Sequence, residues 1–227
     1  MAKTTRNRVL LVWFLTLLPV CGFAQSSTSP IPSSDPLPYR VLEPKTAQAN
    51  TPIVIALHGV GSTNKKFESV IKRLMKLPYR VVLPNAPFRT RRGHSWYKIR
   101  SASSDADVTS SGLRLYALIH AVRERWPEAP KPVLMGYSQG AVMVYHMMAN
   151  YSPHLSAGVA LAGYLVPDDL RIQASTPQSP PLFVSNGKND NTVPFQEGRE
   201  AGIAFFSEGF NVTFFPHNGG HGCPRRV

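Results

Sequence analysis

The chain is short of cysteine, of acidic side chains and of long apolar runs. It has two cysteines in 227 residues, which excludes a disulfide framework or a cysteine-built zinc site. The apolar stretch Val9–Val20 covers twelve residues, well below the roughly 20 that span a bilayer. Aspartate and glutamate total 13 against 25 lysines and arginines, a formal net charge of +12. That balance raises the question of nucleic acid, but no basic helix or interleaved basic-aromatic pattern accompanies it, so nucleic acid is not an expected partner. Hydrophobic residues make up 43% and charged residues 17%, enough apolar material for a packed core and too little charge for wholesale disorder. Glycine (16) and proline (21) are frequent, but without a collagen-like period.

The first residues read as an address. Lys3, Arg6 and Arg8 precede the apolar stretch, and Gly22-Phe23-Ala24 puts small residues at the −3 and −1 positions. This is the pattern of a secretory signal peptide, here residues 1–24 with cleavage after Ala24, and the expected location is secreted or periplasmic. Lipid attachment at Cys21 is an alternative that Leu18 suits and the bulky Val20 does not; an uncleaved anchor is the other. Cleavage removes three basic residues and Cys21, taking the formal charge from +12 to +9. Cys223 is then alone, so no intrachain disulfide forms even in an oxidising compartment. Residues 25–38, QSSTSPIPSSDPLP, are rich in serine and proline and read as a flexible linker. Residues 39–227 form the one remaining domain.

Within that domain, short apolar runs alternate with helical patterns. The runs are Ile53–Leu57, Arg80–Leu83, Val133–Met135, Gly158–Leu161, Leu182–Ser185 and Val212–Phe215, with Tyr39–Leu42 as a possible edge strand. They are nearly continuous in apolar residues, as in strands buried on both faces of a parallel sheet. Helical periodicity covers 65–77, 110–126, 139–150 and 198–208, with Pro127 closing the second. The predicted fold class is α/β, a mostly parallel central sheet with helices on both faces.

The chemistry-bearing residues fall at strand ends. Gly136-Tyr137-Ser138-Gln139-Gly140 follows a strand and opens a helix. On such a turn a serine is held above the sheet in a strained conformation, and its neighbours must be small because strand and helix approach closely. A serine hydroxyl needs a base, and the base needs an orienting acid, which this fold supplies in the order Ser, acid, His. After Leu182–Ser185 comes a turn-rich loop with one carboxylate, Asp190; Asp168 and Asp169 are the other candidates. After Val212–Phe215 come His217 and His221, and His221, between glycines at the far end of the loop, is the chosen base. His58, His94, His120, His146 and His154 read as structural. The oxyanion hole needs two aimed N–H groups. Gln139, next after the serine, supplies one, and Val60 in the glycine-rich Leu57-His58-Gly59-Val60-Gly61-Ser62 loop supplies the other.

LHGVGS, PNAP (Pro84–Pro87), SWY (Ser95–Tyr97), GYSQGA, NGKNDNTVP and the late GGHG resemble, in family order, the carboxylesterase/phospholipase group of α/β-hydrolases, to which acyl-protein thioesterases belong. The resemblance covers residues 50–223. It implies an α/β-hydrolase fold, a Ser138–Asp190–His221 triad and oxyanion N–H groups at Val60 and Gln139. It further implies that Trp96 lies beside the acyl pocket, that no cofactor or metal is used, and that the substrate is a small-molecule or lipid ester. Small to medium acyl chains are the expected class, with a polyester depolymerase or a serine peptidase as alternatives on the same fold. Three features depart from the family. An export signal stands where the best-known members are cytosolic, which counts against a cytosolic palmitoyl-protein substrate. Val193 follows Thr192, where the family often has two apolar residues. The usual C-terminal helix is lacking, which is expected to bare apolar sheet and weaken the His221 loop. Arg89-Thr90-Arg91-Arg92 sits between PNAP and Trp96, near the expected pocket mouth. It reads as a contact for acidic substrates, a weak contact for anionic surfaces, or a solvated loop.

Overall fold

A computed structural model describes residues 36–71, 78–99, 101, 104–166 and 171–222. The leader, most of the linker, Cys21, Cys223, Asp168 and Asp169 lie outside them. Seven strands form the main sheet: β1 (Tyr39–Leu42), β2 (Ile53–Leu57), β3 (Arg80–Pro84), β6 (Val133–Tyr137), β7 (Ala157–Leu161), β8 (Leu182–Ser185) and β9 (Val212–Phe214). Their spatial order is β1-β3-β2-β6-β7-β8-β9. Only the edge strand β1 runs antiparallel, against β3; every other pairing is parallel. Parallel neighbours need crossover connections, and the helices α1 (Asn64–Ile71), α2 (Ser104–Arg125), α3 (Gln139–Tyr151) and α4 (Phe195–Ser207) lie on them.

Alternation along the strands divides the core between two faces. Ile53, Ile55 and Leu57 of β2 and Val82 of β3 join one large cluster with α2, α3 and α4, including Leu118, Met147, Tyr145 and Phe205. Ala56 of β2 and Val81 and Leu83 of β3 face the other way, against Phe67 and Ile71 of α1. Helices therefore cover both faces, unequally. The row Ala56, Met135, Val159, Phe183 runs across four strands on the α1 side. Away from α1 its members Met135, Val159 and Phe183 are only half-buried. No helix follows β9 among the described residues.

Two boundaries and one whole element stand out against the sequence expectation. Leu37, placed in the linker, is buried in the large cluster, and the Asn85 N–H donates to Pro38 O at 2.9 Å. The folded domain thus begins before residue 39, because one leucine among prolines suffices to anchor the tether's end. Helix α2 starts at Ser104 rather than 110. Asp105 and Asp107 in its first turn suit the positive end of the helix dipole, a signal that apolar periodicity does not carry. A two-stranded hairpin, β4 (Phe88–Thr90) paired with β5 (Gly93–Ser95), was not predicted at all, since its residues show no apolar alternation.

Candidate active site

Ser138 sits between β6 and α3 with φ 55° and ψ −120°, a conformation that an L-residue adopts only where its surroundings impose it. They do so here. A Cβ on Gly140 would collide with Leu57 O, and one on Gly136 with Gly140 O, so strand and helix can close tightly around the turn only with glycine at both places. The Ser138 N–H donates to Leu161 O at 2.9 Å, pinning the turn to the end of β7.

Two other loops meet it. Asp190 follows β8 and His221 follows β9. His221 Nε2 lies 2.9 Å from Ser138 Oγ, and His221 Nδ1 lies 2.7 Å from Asp190 Oδ2. Asp190 Oδ1 accepts the N–H groups of Thr192 (2.8 Å) and Val193 (2.9 Å). Burial alone would raise the Asp190 carboxyl. The hydrogen bonds from Val193, His221 and Thr192 outweigh that penalty and hold it below its ordinary value. An ionised, fixed carboxylate on Nδ1 selects the tautomer that leaves Nε2 free to take the serine proton.

Thus Ser138, Asp190 and His221 come together from positions 52 and 31 residues apart in the chain. His217 does not join them. Its Nδ1 accepts the Gly219 N–H at 3.1 Å, and its backbone N–H donates to Asn186 O at 3.2 Å, so it shapes the turn. The acid loop binds the segment that carries His221. Lys188 N–H donates to His217 O (2.8 Å), Asn189 N–H to Gly219 O (3.1 Å) and the Asn189 side chain to Asn218 O (2.8 Å). A Cβ on Gly187 would strike Gly219 O and Gly220 O, so the two loops pack backbone to backbone. Tyr137 adds a clamp that its sequence position gave no reason to expect. Its hydroxyl donates to His221 O at 3.0 Å.

The 58–61 loop lies against the serine, since a Cβ on Gly59 would come 3.2 Å from Ser138 Cβ. Val60 follows, 46% exposed. Neither its N–H nor that of Gln139 is taken by a hydrogen bond within the described fold, which leaves both for a ligand oxygen. His58 is fully buried beneath this loop. Its Nδ1 lies 2.7 Å from Gly59 O, and its Nε2 accepts the Ala86 N–H at 3.2 Å, so it braces the loop from within. Burial lowers its pKa, against the Gly59 bond.

Trp96 has no exposed surface. Its indole N–H donates to His58 O at 2.8 Å, placing it under the loop as a support rather than as open pocket wall. The Gln139 side chain carries a further task that a backbone-donor role does not suggest. Its Oε1 accepts the Trp96 N–H (2.8 Å) and the Ser95 hydroxyl (3.0 Å), and its Nε2 donates to Tyr97 O (2.7 Å). The residue after the serine therefore locks the SWY segment beside the site. Among the described residues no three histidine, cysteine, aspartate or glutamate side chains gather as a metal site.

A mostly parallel sheet with an antiparallel first strand, a serine on a strained strand-to-helix turn after β6, and an acid and a histidine after β8 and β9 define an α/β-hydrolase fold. Residues 39–221 match the phospholipase/carboxylesterase family. The chain belongs to that family and is a carboxylic ester hydrolase. It is 26% identical over 180 residues to acyl-protein thioesterase 1 of Yarrowia lipolytica, covering 71% of this chain and 79% of that protein. It is 26% identical over 195 residues to a probable carboxylesterase of Oryza sativa subsp. japonica, covering 77% and 73%. The carboxylesterase from Mesorhizobium loti shares the fold at TM-score 0.71 and 17% identity, over 83% of this chain and 88% of that one. The Bacillus cereus carboxylesterase does so at TM-score 0.68 and 15% identity, over 83% and 88%.

Proposed function

We propose that this chain cleaves carboxylic esters of small to medium acyl length through an acyl-enzyme on Ser138. His221 Nε2 takes the serine proton as Oγ attacks the ester carbonyl, and the N–H groups of Val60 and Gln139 receive the oxyanion. His221 returns the proton to the leaving alcohol. Water, deprotonated by the same imidazole, then attacks the acyl-serine, and the acid departs with Ser138 restored. Asp190 stabilises the charged imidazole throughout. The scheme uses no metal or organic cofactor. The observation that supports it most is the unbroken line Asp190–His221–Ser138, at 2.7 and 2.9 Å.

Ser138→Ala tests it. Turnover of p-nitrophenyl butyrate should fall by a factor on the order of 10⁶ with the fold intact, and retained turnover would defeat the assignment. A fluorophosphonate probe should label the wild type and not this variant. The Yarrowia relative's name makes thioesters the second bond to assay, since a thioester carbonyl meets the same nucleophile. Residues 1–24 support export, with the mature chain beginning at Gln25. The intact mass of the purified exported protein checks this, and a mass that includes the leader would end it.

A further inference from the structure

We propose that the site takes esters that carry a negative charge, recognised by the basic hairpin at its edge; this deepens the ester-hydrolase reading and rests on it. The unpredicted hairpin β4–β5 is the starting observation. It is locked to the 58–62 loop: Gly61 N–H donates to His94 O (2.8 Å) and His94 N–H to Ser62 O (2.7 Å). A Cβ on Gly93 would collide with Ser62 O, and one on Gly61 would lie 3.7 Å from Arg92 Cβ. Lys66 Nζ donates to Arg92 O at 2.9 Å, fixing the turn from α1. The hairpin tip is therefore held one residue from Val60, whose N–H faces the reacting oxygen in the scheme above.

The charges on this rim are of one sign. Arg89, Arg91, Arg92, Lys98 and, on the acid loop, Lys188 are all exposed. Among the described residues none of their side chains is ion-paired, and Asp107 accepts the backbone N–H of Lys98, at 3.1 Å; the ion pairs elsewhere join Arg40 to Glu68 and Arg80 to Glu43. The described strand-end loops around Ser138 offer a single carboxylate, Asp190, and its side chain is fully buried against His221. Guanidinium groups suit carboxylate and phosphate. Unpaired cations fixed beside a catalytic loop raise the local concentration of an anionic substrate and orient it. A merely solvated loop needs neither the clamp from the 58–62 loop and α1 nor this scarcity of acids.

The test compares mono-p-nitrophenyl adipate, which keeps a free carboxylate, with p-nitrophenyl hexanoate, which has the same acyl length and no charge. At low salt the wild-type full chain should show a kcat/KM about tenfold higher for the adipate, shrinking towards equality at high salt. Arg89→Gln/Arg91→Gln/Arg92→Gln should abolish the preference and leave hexanoate turnover within about twofold. The matching triple Arg→Lys variant should keep it. A parallel assay on phosphatidylglycerol and phosphatidylcholine vesicles separates the sources of the anion: preference in the dissolved esters marks a small molecule, and preference only on vesicles marks a lipid headgroup. Equal rates within both pairs, or a preference that survives the Gln substitutions, would overturn the proposal. Loss of hexanoate turnover in the wild type would instead overturn the ester-hydrolase reading itself.

Discussion

Single residues in this protein are held against their own preferences, and that is measurable. Ser138 at φ 55° and ψ −120° occupies a region natural to glycine, at a cost of about 1–3 kcal/mol. Ser138→Gly should therefore raise the melting temperature, by about 2–4 °C per kcal/mol recovered in a chain this size, while abolishing turnover. A calorimetric scan beside an ester assay checks both, and a variant melting below wild type would refute the strain argument. Asp190→Asn should keep the fold but disturb the tautomer of His221, lowering kcat by about 10⁴-fold. Tyr137→Phe removes the bond to His221 O. A net hydrogen bond of about 1 kcal/mol implies a several-fold fall in kcat with KM little changed, which steady-state kinetics would show. Ser138, Asp190 and His221 were all legible as residue types in family order. Tyr137 was not, because nothing in GYSQG says what its hydroxyl will reach 84 residues later.

At the scale of elements, the site is a set of strand ends tied to one another. The helix α3 begins where Ser138 ends β6's turn, and the Gln139 side chain reaches across to the SWY segment with three hydrogen bonds. Gln139→Ala leaves its backbone N–H in place and strands buried partners, so it should destabilise by about 2–4 kcal/mol while a residual ester activity persists in the folded fraction. Denaturant titration with activity measured on the same samples separates the two effects. The strands and helices themselves were readable from apolar runs and periodicity, since burial on both faces leaves little choice of residue. The β4–β5 hairpin escaped because it is ordered by backbone bonds to the 58–62 loop, not by an apolar face of its own. Likewise the terminal helix was expected to matter for His221, yet the acid loop holds that segment through main-chain contacts at Gly187, which carry no side-chain signature.

For the whole molecule, two histidines and Asp190 couple stability to pH in one direction on the acid side. Burial lowers His58 below its ordinary 6.5, and His154 likewise, with nearby His120, Arg123 and Lys131 disfavouring its charged form. The unfolded chain then binds protons that the folded one refuses, so stability present above about pH 6.5 should decline as the pH falls beneath it. Asp190, depressed below 3.8, adds a second loss on further acidification, when the unfolded carboxylate gains its proton first. Denaturation midpoints measured stepwise from neutral to acidic pH should fall throughout, and a rise on acidification would contradict both assignments.

The order of residue types along the chain determined the fold class, the strands and the candidate serine, acid and histidines, because buried parallel strands and a glycine-flanked serine admit few substitutes. Only the tertiary structure decided which groups meet. It put His221 rather than His217 on Ser138, made His58 and Trp96 supports beneath a loop, and set the arginine hairpin beside Val60. Those outcomes depend on distances between residues far apart in sequence, and such distances exist only once the sheet has brought its strand ends to one edge.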